Sequence, residues 1–219
     1  MLERLSRQFG VLSAGVIVFA AALFVLPGEA QHEQLGQAKP PQVARMLASM
    51  PAPLSERAQD AVAESCYRSL RSTYFAALDT PRRQQVLDTC EAAMSDLTGN
   101  VPTHGAAGLV LAQIGVITGS ATAGALLEES ARVSPNSTWL RLRRLDISRA
   151  SEALPDDAAL LMTRDINDLL ATPAGQQGLA RRYLADTAFA QKLLAVVDTA
   201  PAPVQKAFVD AIRLAEGAE

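Results

Sequence analysis

The chain is 219 residues long, carries a formal net charge of −3, and is 49 % hydrophobic with only 5 % aromatic residues. That balance excludes the strongly basic surface a nucleic-acid binder needs. Few aromatics beside abundant alanine and leucine favour helices over a β-sandwich.

Residues 1–8 form a leader holding Arg4 and Arg7, and residues 9–26 (FGVLSAGVIVFAAALFVL) carry no charge. A charged side chain costs ~2.5–3.5 kcal/mol at a helix centre in the bilayer, so an uncharged run of this length is predicted to insert as a transmembrane anchor. The two arginines hold the N-terminus in the cytoplasm and send everything after residue 30 to the far side. A cleaved signal peptide is the competing reading, with Gly28-Glu29-Ala30 ahead of the cut. Signal-peptide cores typically run ~7–15 residues, shorter than this stretch, which favours the anchor. Residues 27–41 (PGEAQHEQLGQAKPP) are polar and close on two prolines, as a tether does. Residues 42–219 suffice for one domain with a real core.

The first domain helix is expected from about Ser55 to Leu78, with Ala58, Val62, Cys66 and Leu70 on one apolar stripe. The second opens with Thr80 as N-cap and Pro81 in the first turn, and stops at Gly99. A turn centred near Asp79 makes these an antiparallel hairpin in which Cys66 and Cys90 lie at nearly equal height. A disulfide between them is expected in an oxidising compartment, and closing that loop stabilises by ~3.5 kcal/mol in the chain-entropy model. Two buried free thiols are the alternative. A metal site needs more ligands, and His32 and His104 lie far from both cysteines in sequence. The pair therefore reads as a structural staple.

Helical signals continue to the end of the chain. Helices are expected at about 105–118, 121–133, from Ser134-Pro135 to Ala150, from Leu154-Pro155 to Ala171, and from Thr172-Pro173 onward. Asp186 caps a segment carrying Phe189, Leu193, Val196 and Val197, and Pro201 begins a last helix with Val204, Phe208, Ala211, Ile212 and Ala215 on one face. Residues 105–127 are uncharged and raise the alternative of a second span. Gln113, Thr118, Ser120 and Thr122 interrupt that run and Gly119-Ser120 reads as a turn, so a buried soluble helix is expected instead. Gly108, Ala112, Gly115 and Gly119 form a stripe of small residues that lets helices approach closely. Short antiparallel helices in succession predict an all-α fold: the N-terminal transmembrane helix followed by an α-solenoid of helical hairpins.

Ala123-x3-Leu127 with Pro135 eight residues on resembles the second half of a tetratricopeptide repeat, and Trp139 and Leu142 look like the opening of the next unit. The pattern departs at Arg143, where glycine is expected, and Trp139 follows the proline early. Anchor, cysteine hairpin, residues 131–140 (ARVSPNSTWL) and Ala180-Arg181-Arg182-Tyr183 together resemble bacterial membrane-anchored helical proteins associated with exopolysaccharide and O-antigen polymerisation. The likeness lies mostly in residues 123–214. It implies a single-pass protein of the bacterial inner membrane, a periplasmic C-terminal domain and a role in envelope polysaccharide assembly. It assigns no catalytic residue.

Candidate chemistry is sparse. Neither histidine has a cysteine or serine partner in view, and His104 beside a helix start suits a cap-region contact. Asp156-Asp157 fall in a first helical turn, where the macrodipole favours carboxylates. Gly119-Ser120 lacks the spacing of a phosphate loop or a nucleophile elbow. Arg141, Arg143, Arg144 and Arg149 crowd one helix, offset locally by Asp146 and Glu152. A solvated polar face is the default, on which reversing Arg141 and Arg144 leaves helicity intact. The functional reading makes Arg141, Arg144 and Arg149 the contact for an acidic partner surface or an anionic glycan. Trp139, Tyr67, Tyr74 and Tyr183 are scattered, each more often core than sugar platform. The sequence thus points to a non-enzymatic scaffold at the inner membrane that binds an envelope protein, without nucleic acid, metal or cofactor. The alternative is a glycan-binding or glycan-processing module of the same pathway, which would call for aromatic platforms or two carboxylates across a cleft.

Overall fold

The computed structural model describes residues 31–32, 34–150 and 156–217. The expected leader, the anchor at 9–26, the first part of the tether and the start signal Leu154-Pro155 lie outside the described residues. Among the described residues the chain forms eleven α-helices and no strand, so the all-α expectation holds. They fall into two compact units, divided along the chain between Ala93 and Met94.

In the first unit, a 3-10 turn at Leu35–Gln37 precedes α1 (Pro40–Ser49), α2 (Glu56–Arg71), α3 (Thr73–Ala76) and the start of α4 (Thr80–Asn100), which runs on past the boundary. The two prolines expected to end the tether instead open α1, because proline's fixed φ and missing N–H suit a first helical turn. Ser55 caps α2 by accepting from Ala58 N–H at 3.1 Å, and the predicted stripe of Ala58, Val62, Cys66 and Leu70 is buried. The helix expected to reach Leu78 breaks at Ser72. Its hydroxyl donates to Ser69 C=O at 2.8 Å and accepts from Phe75 N–H, drawing the backbone into the new start of α3. The cap of α4 is Asp79 and not Thr80: Asp79 Oδ1 accepts from Arg82 N–H at 2.9 Å. Cys66 and Cys90 form a disulfide between α2 and α4, both fully buried, with Cα atoms 5.7 Å apart.

The second unit holds the rest of α4, then α5 (Gly105–Thr118), α6 (Ala123–Val133), α7 (Thr138–Ala150), α8 (Asp156–Leu170), α9 (Pro173–Ala185), α10 (Thr187–Val197) and α11 (Ala202–Glu216). His104 Nδ1 accepts from Ala107 N–H at the start of α5, the cap contact expected of it. Gly119 stops α5 in the left-handed region at φ 74°, and Ser120 N–H returns to Gly115 C=O at 2.7 Å. Among the described residues no helix is long and apolar enough to cross a membrane, so residues 105–127 do not form a second span. Helix α7 begins later than the proline suggested. Ser134 ends α6, Pro135 sits in the turn, and Ser137 C=O accepts the first bond of α7 from Arg141 N–H. Thr172 and Asp186 cap α9 and α10 as expected.

Close approach fixes α5 on α6. A Cβ at Gly105 would strike the Ser134 side chain, one at Gly115 would meet Ala123 Cβ at 3.1 Å, and buried Ser130 Oγ donates to Gly105 C=O at 2.8 Å. From α5 to α11 each helix packs on its successor and on the next but one, save that α11 rests on α9. The later helices share a core of Leu145, Ile166, Leu169, Leu179, Phe189 and Phe208.

Candidate functional site

Arg141, Arg144 and Arg149 of α7 reach to other helices, whereas Arg143 pairs along its own helix and lines a groove. Arg144 is 1 % exposed, and its Nε and Nη2 donate to Asp165 Oδ2 and Oδ1 at 2.7 and 2.8 Å. Arg141 Nη2 donates to Asp168 Oδ2 at 2.8 Å, with its Nε 3.9 Å from Asp165. Arg149 pairs with Asp186 at 3.0 Å and lies over the Phe189 ring. Asp146 offsets the cluster locally as expected, 4.0 Å from Arg143, and also takes a bidentate bond from Arg182 at 2.8 Å, whose guanidinium donates to Gly178 and Leu142 C=O as well. The solvated face expected of α7 is therefore a set of ties to α8, α9 and the cap of α10. A charge inside a protein must be paired to offset the loss of its water, and fork-shaped arginine does so best.

Asp186 shows the electrostatic result. The Phe189 N–H that it caps pulls its carboxyl below the ordinary carboxylate range, Arg149 adds to that pull, and partial burial works against it.

Two kinds of concave surface flank this framework. Between α6 and α8 lies a cleft of about 740 Å³ whose charged walls are mixed: Glu128, Glu129, Arg132, Arg164, Asp165 and Asp168. Most of this charge is satisfied within the fold. Glu129 accepts a two-point bond from Arg132, which lowers the acid's pKa and raises the arginine's, while Asp165 and Asp168 hold Arg144 and Arg141. A general acid needs its carboxyl shifted upward, the opposite direction to Glu129.

The second surface follows the odd-numbered helices. A groove of about 570 Å³ between α7 and α9 is walled by Trp139, Leu142, Arg143, Gln177, Arg181 and Arg182. A groove of about 850 Å³ between α9 and α11 is walled by Gln177, Arg181, Leu184, Ala211, Leu214 and Glu216. Gln177 and Arg181 belong to both, so the grooves adjoin across α9. Trp139 is thus at a groove, whereas Tyr67 is buried in the first unit, Tyr183 packs edge-on against Phe208, and Tyr74 lies beneath Lys39. Of the three arginines expected to bind a partner, Arg141, Arg144 and Arg149, only Arg144 lines any of these hollows, and it is committed to Asp165. The sequence marks Arg181 only within Ala180-Arg181-Arg182-Tyr183 and gives Leu214 no signal at all, because neither reads as a site residue until the fold sets the two side by side. Among the described residues no group of three or more His, Cys, Asp or Glu side chains is placed to hold a metal ion.

No protein-family model matches the chain, and no curated protein or solved structure matches it.

Proposed function

We propose that the chain is a non-enzymatic scaffold, a tetratricopeptide-like α-solenoid held by its N-terminal segment at the bacterial inner membrane, with its helical domain in the periplasm. The observation that carries the scaffold is the packing order of α5 to α11, in which each helix up to α9 rests on the next and the next but one, α10 reaches back to α8 and α11 rests on α9. Such stacking builds an extended surface from alternate helices, which repeat proteins use to hold partners. The compartment is supported by the uncharged run at 9–26 behind Arg4 and Arg7, and by cysteines at bonding distance, which persist as disulfides in oxidising surroundings. A part in exopolysaccharide or O-antigen assembly rests on the sequence resemblance alone.

A reporter active only outside the cytoplasm, fused after Glu219, tests the placement; silence there removes it. Photo-crosslinking from groove positions in intact cells tests the scaffold, since a defined protein partner is expected and its absence from every groove would sink it. The anionic-glycan reading keeps one observation in its favour, Trp139 beside Arg143 and Arg181. Release of sugar by the purified chain, abolished by one carboxylate substitution, would overturn the non-enzymatic reading.

A further inference from the structure

We propose that the adjoining grooves of α7, α9 and α11 dock one kind of partner: a protein segment in which a carboxylate is flanked on both sides by apolar side chains. The inference rests on the scaffold reading and names the chemistry of what it holds. Charge comes first. The chain is net negative, yet the charged side chains along these two grooves are Arg143, Arg181 and Arg182 against Glu216. Arg182 and Arg143 both pair with Asp146, so exposed Arg181, which both grooves share, is the central charge. Solution screening reaches within about 8 Å at physiological salt, so a bound segment feels Arg181 and not the distant net charge.

Apolar surface lies on both sides of that charge. Toward α7 stand Trp139 and Leu142, and toward α11 stand Leu184 and Leu214, the last 71 % exposed. Exposed leucines beside an aromatic ring and an arginine are the makings of a protein contact, where apolar anchors supply affinity and a charge fixes register. An anionic sugar would use Trp139 and the arginines but leave Leu184 and Leu214 bare. A peptide that places apolar side chains either side of a carboxylate uses them all. The cleft between α6 and α8 offers no such pattern, because its acids and arginines largely satisfy one another.

The test uses the full chain in detergent and a fluorescein-labelled synthetic peptide with leucines flanking two glutamates, read by anisotropy. A peptide with lysines for glutamates and an oligogalacturonate serve as comparison probes. The glutamate peptide should bind more tightly than the lysine peptide. Arg181→Glu should weaken the glutamate peptide by about tenfold and reverse the preference between the two. Leu214→Asp should weaken both peptides, and circular dichroism should show either variant folded, as both side chains are exposed. Equal binding of the two peptides, no response to Arg181→Glu, or no saturation up to about 1 mM would overturn the proposal. So would oligogalacturonate binding that depends on Trp139 and ignores Leu214, which would make this a glycan face. Photo-crosslinking separates the two levels. A partner captured from Leu160 and not from Leu184 leaves the scaffold and removes this docking face, whereas capture from neither removes both.

Discussion

Asp165 carries more of the fold than any surface count of charges would suggest. It accepts from Arg144 Nε and Nη2, at 1 % exposure on either side, and sits 3.9 Å from Arg141. Removing one partner of a buried pair strands the other charge without water, which costs about 3–5 kcal/mol. Asp165→Asn should therefore lower stability by that order in urea unfolding followed by circular dichroism. Replacing both partners at once, Arg144→Met with Asp165→Leu, should recover most of the loss, because no stranded charge is left. A single variant as stable as the parent would show that the pair is not buried in solution. The same geometry reverses the expectation for Arg144→Glu, which now sets two carboxylates face to face and should cost helicity. The sequence did hold a clue. Arg141 and Arg144 are three apart, as are Asp165 and Asp168, so each pair lies on one helix face. Nothing local says which two helices will meet, and that knowledge comes only with packing. Asp186 gives a pH signature at the same scale. Its carboxyl is held below the ordinary value of 3.8 in the fold, so the stability it adds is present above the unfolded value and lost as pH falls through the lowered one. Thermal melts between about pH 5 and pH 2 should fall less steeply for Asp186→Asn than for the parent. Parallel curves would remove the cap and the Arg149 pair as the cause.

The helices themselves were largely readable, because a cap is a local event. Ser55, Thr172 and Asp186 each accept the N–H three residues on, and those residue types announce themselves in sequence. Where two cap residues stood close together the choice failed: Asp79 prevails over Thr80, and α7 starts after Ser137 and not after Ser134. Close approach was read one step too generally. The stripe through Gly108 and Gly115 marked the right face of α5, yet a Cβ at Gly108 would lie 3.7 Å from its nearest neighbour, in ordinary contact. Gly115 of the stripe is close-packed as expected, but the tightest positions lie outside it, at Gly105 and at Gly175, where a Cβ would strike the Leu169 carbonyl. Periodicity tells which side of a helix is covered, and only the crossing point tells which residue has no room. Gly105→Ala and Gly175→Ala should each destabilise by about 1–3 kcal/mol. Gly108→Ala should be neutral or gain up to about 1 kcal/mol from helix propensity. Melting all three variants side by side checks the order, and a loss at Gly108 equal to that at Gly105 would place the crossing elsewhere.

At the level of the second unit, successive helices predict a response to damage that a single shared core would not give. Phe208 on α11 is 1 % exposed and meets Tyr183 of α9 edge-on, with ring centres 6.2 Å apart. Truncating a buried phenylalanine costs about 3–5 kcal/mol. If each helix leans mainly on its neighbours, that loss is felt nearby and fades along the stack, since stability there is close to a sum of nearest-neighbour terms. Hydrogen exchange on Phe208→Ala should therefore show protection falling in α11 and α9, less in α8, and least in α5 and α6. The ties from Arg182 to Asp146 and from Arg144 to Asp165 lie between the damage and the far end, so they should slow its spread. A uniform loss of protection from α5 to α11 would mean that the helices open as one cooperative body. The solenoid reading would then fall, and with it the argument that odd-numbered helices present a surface independent of the rest.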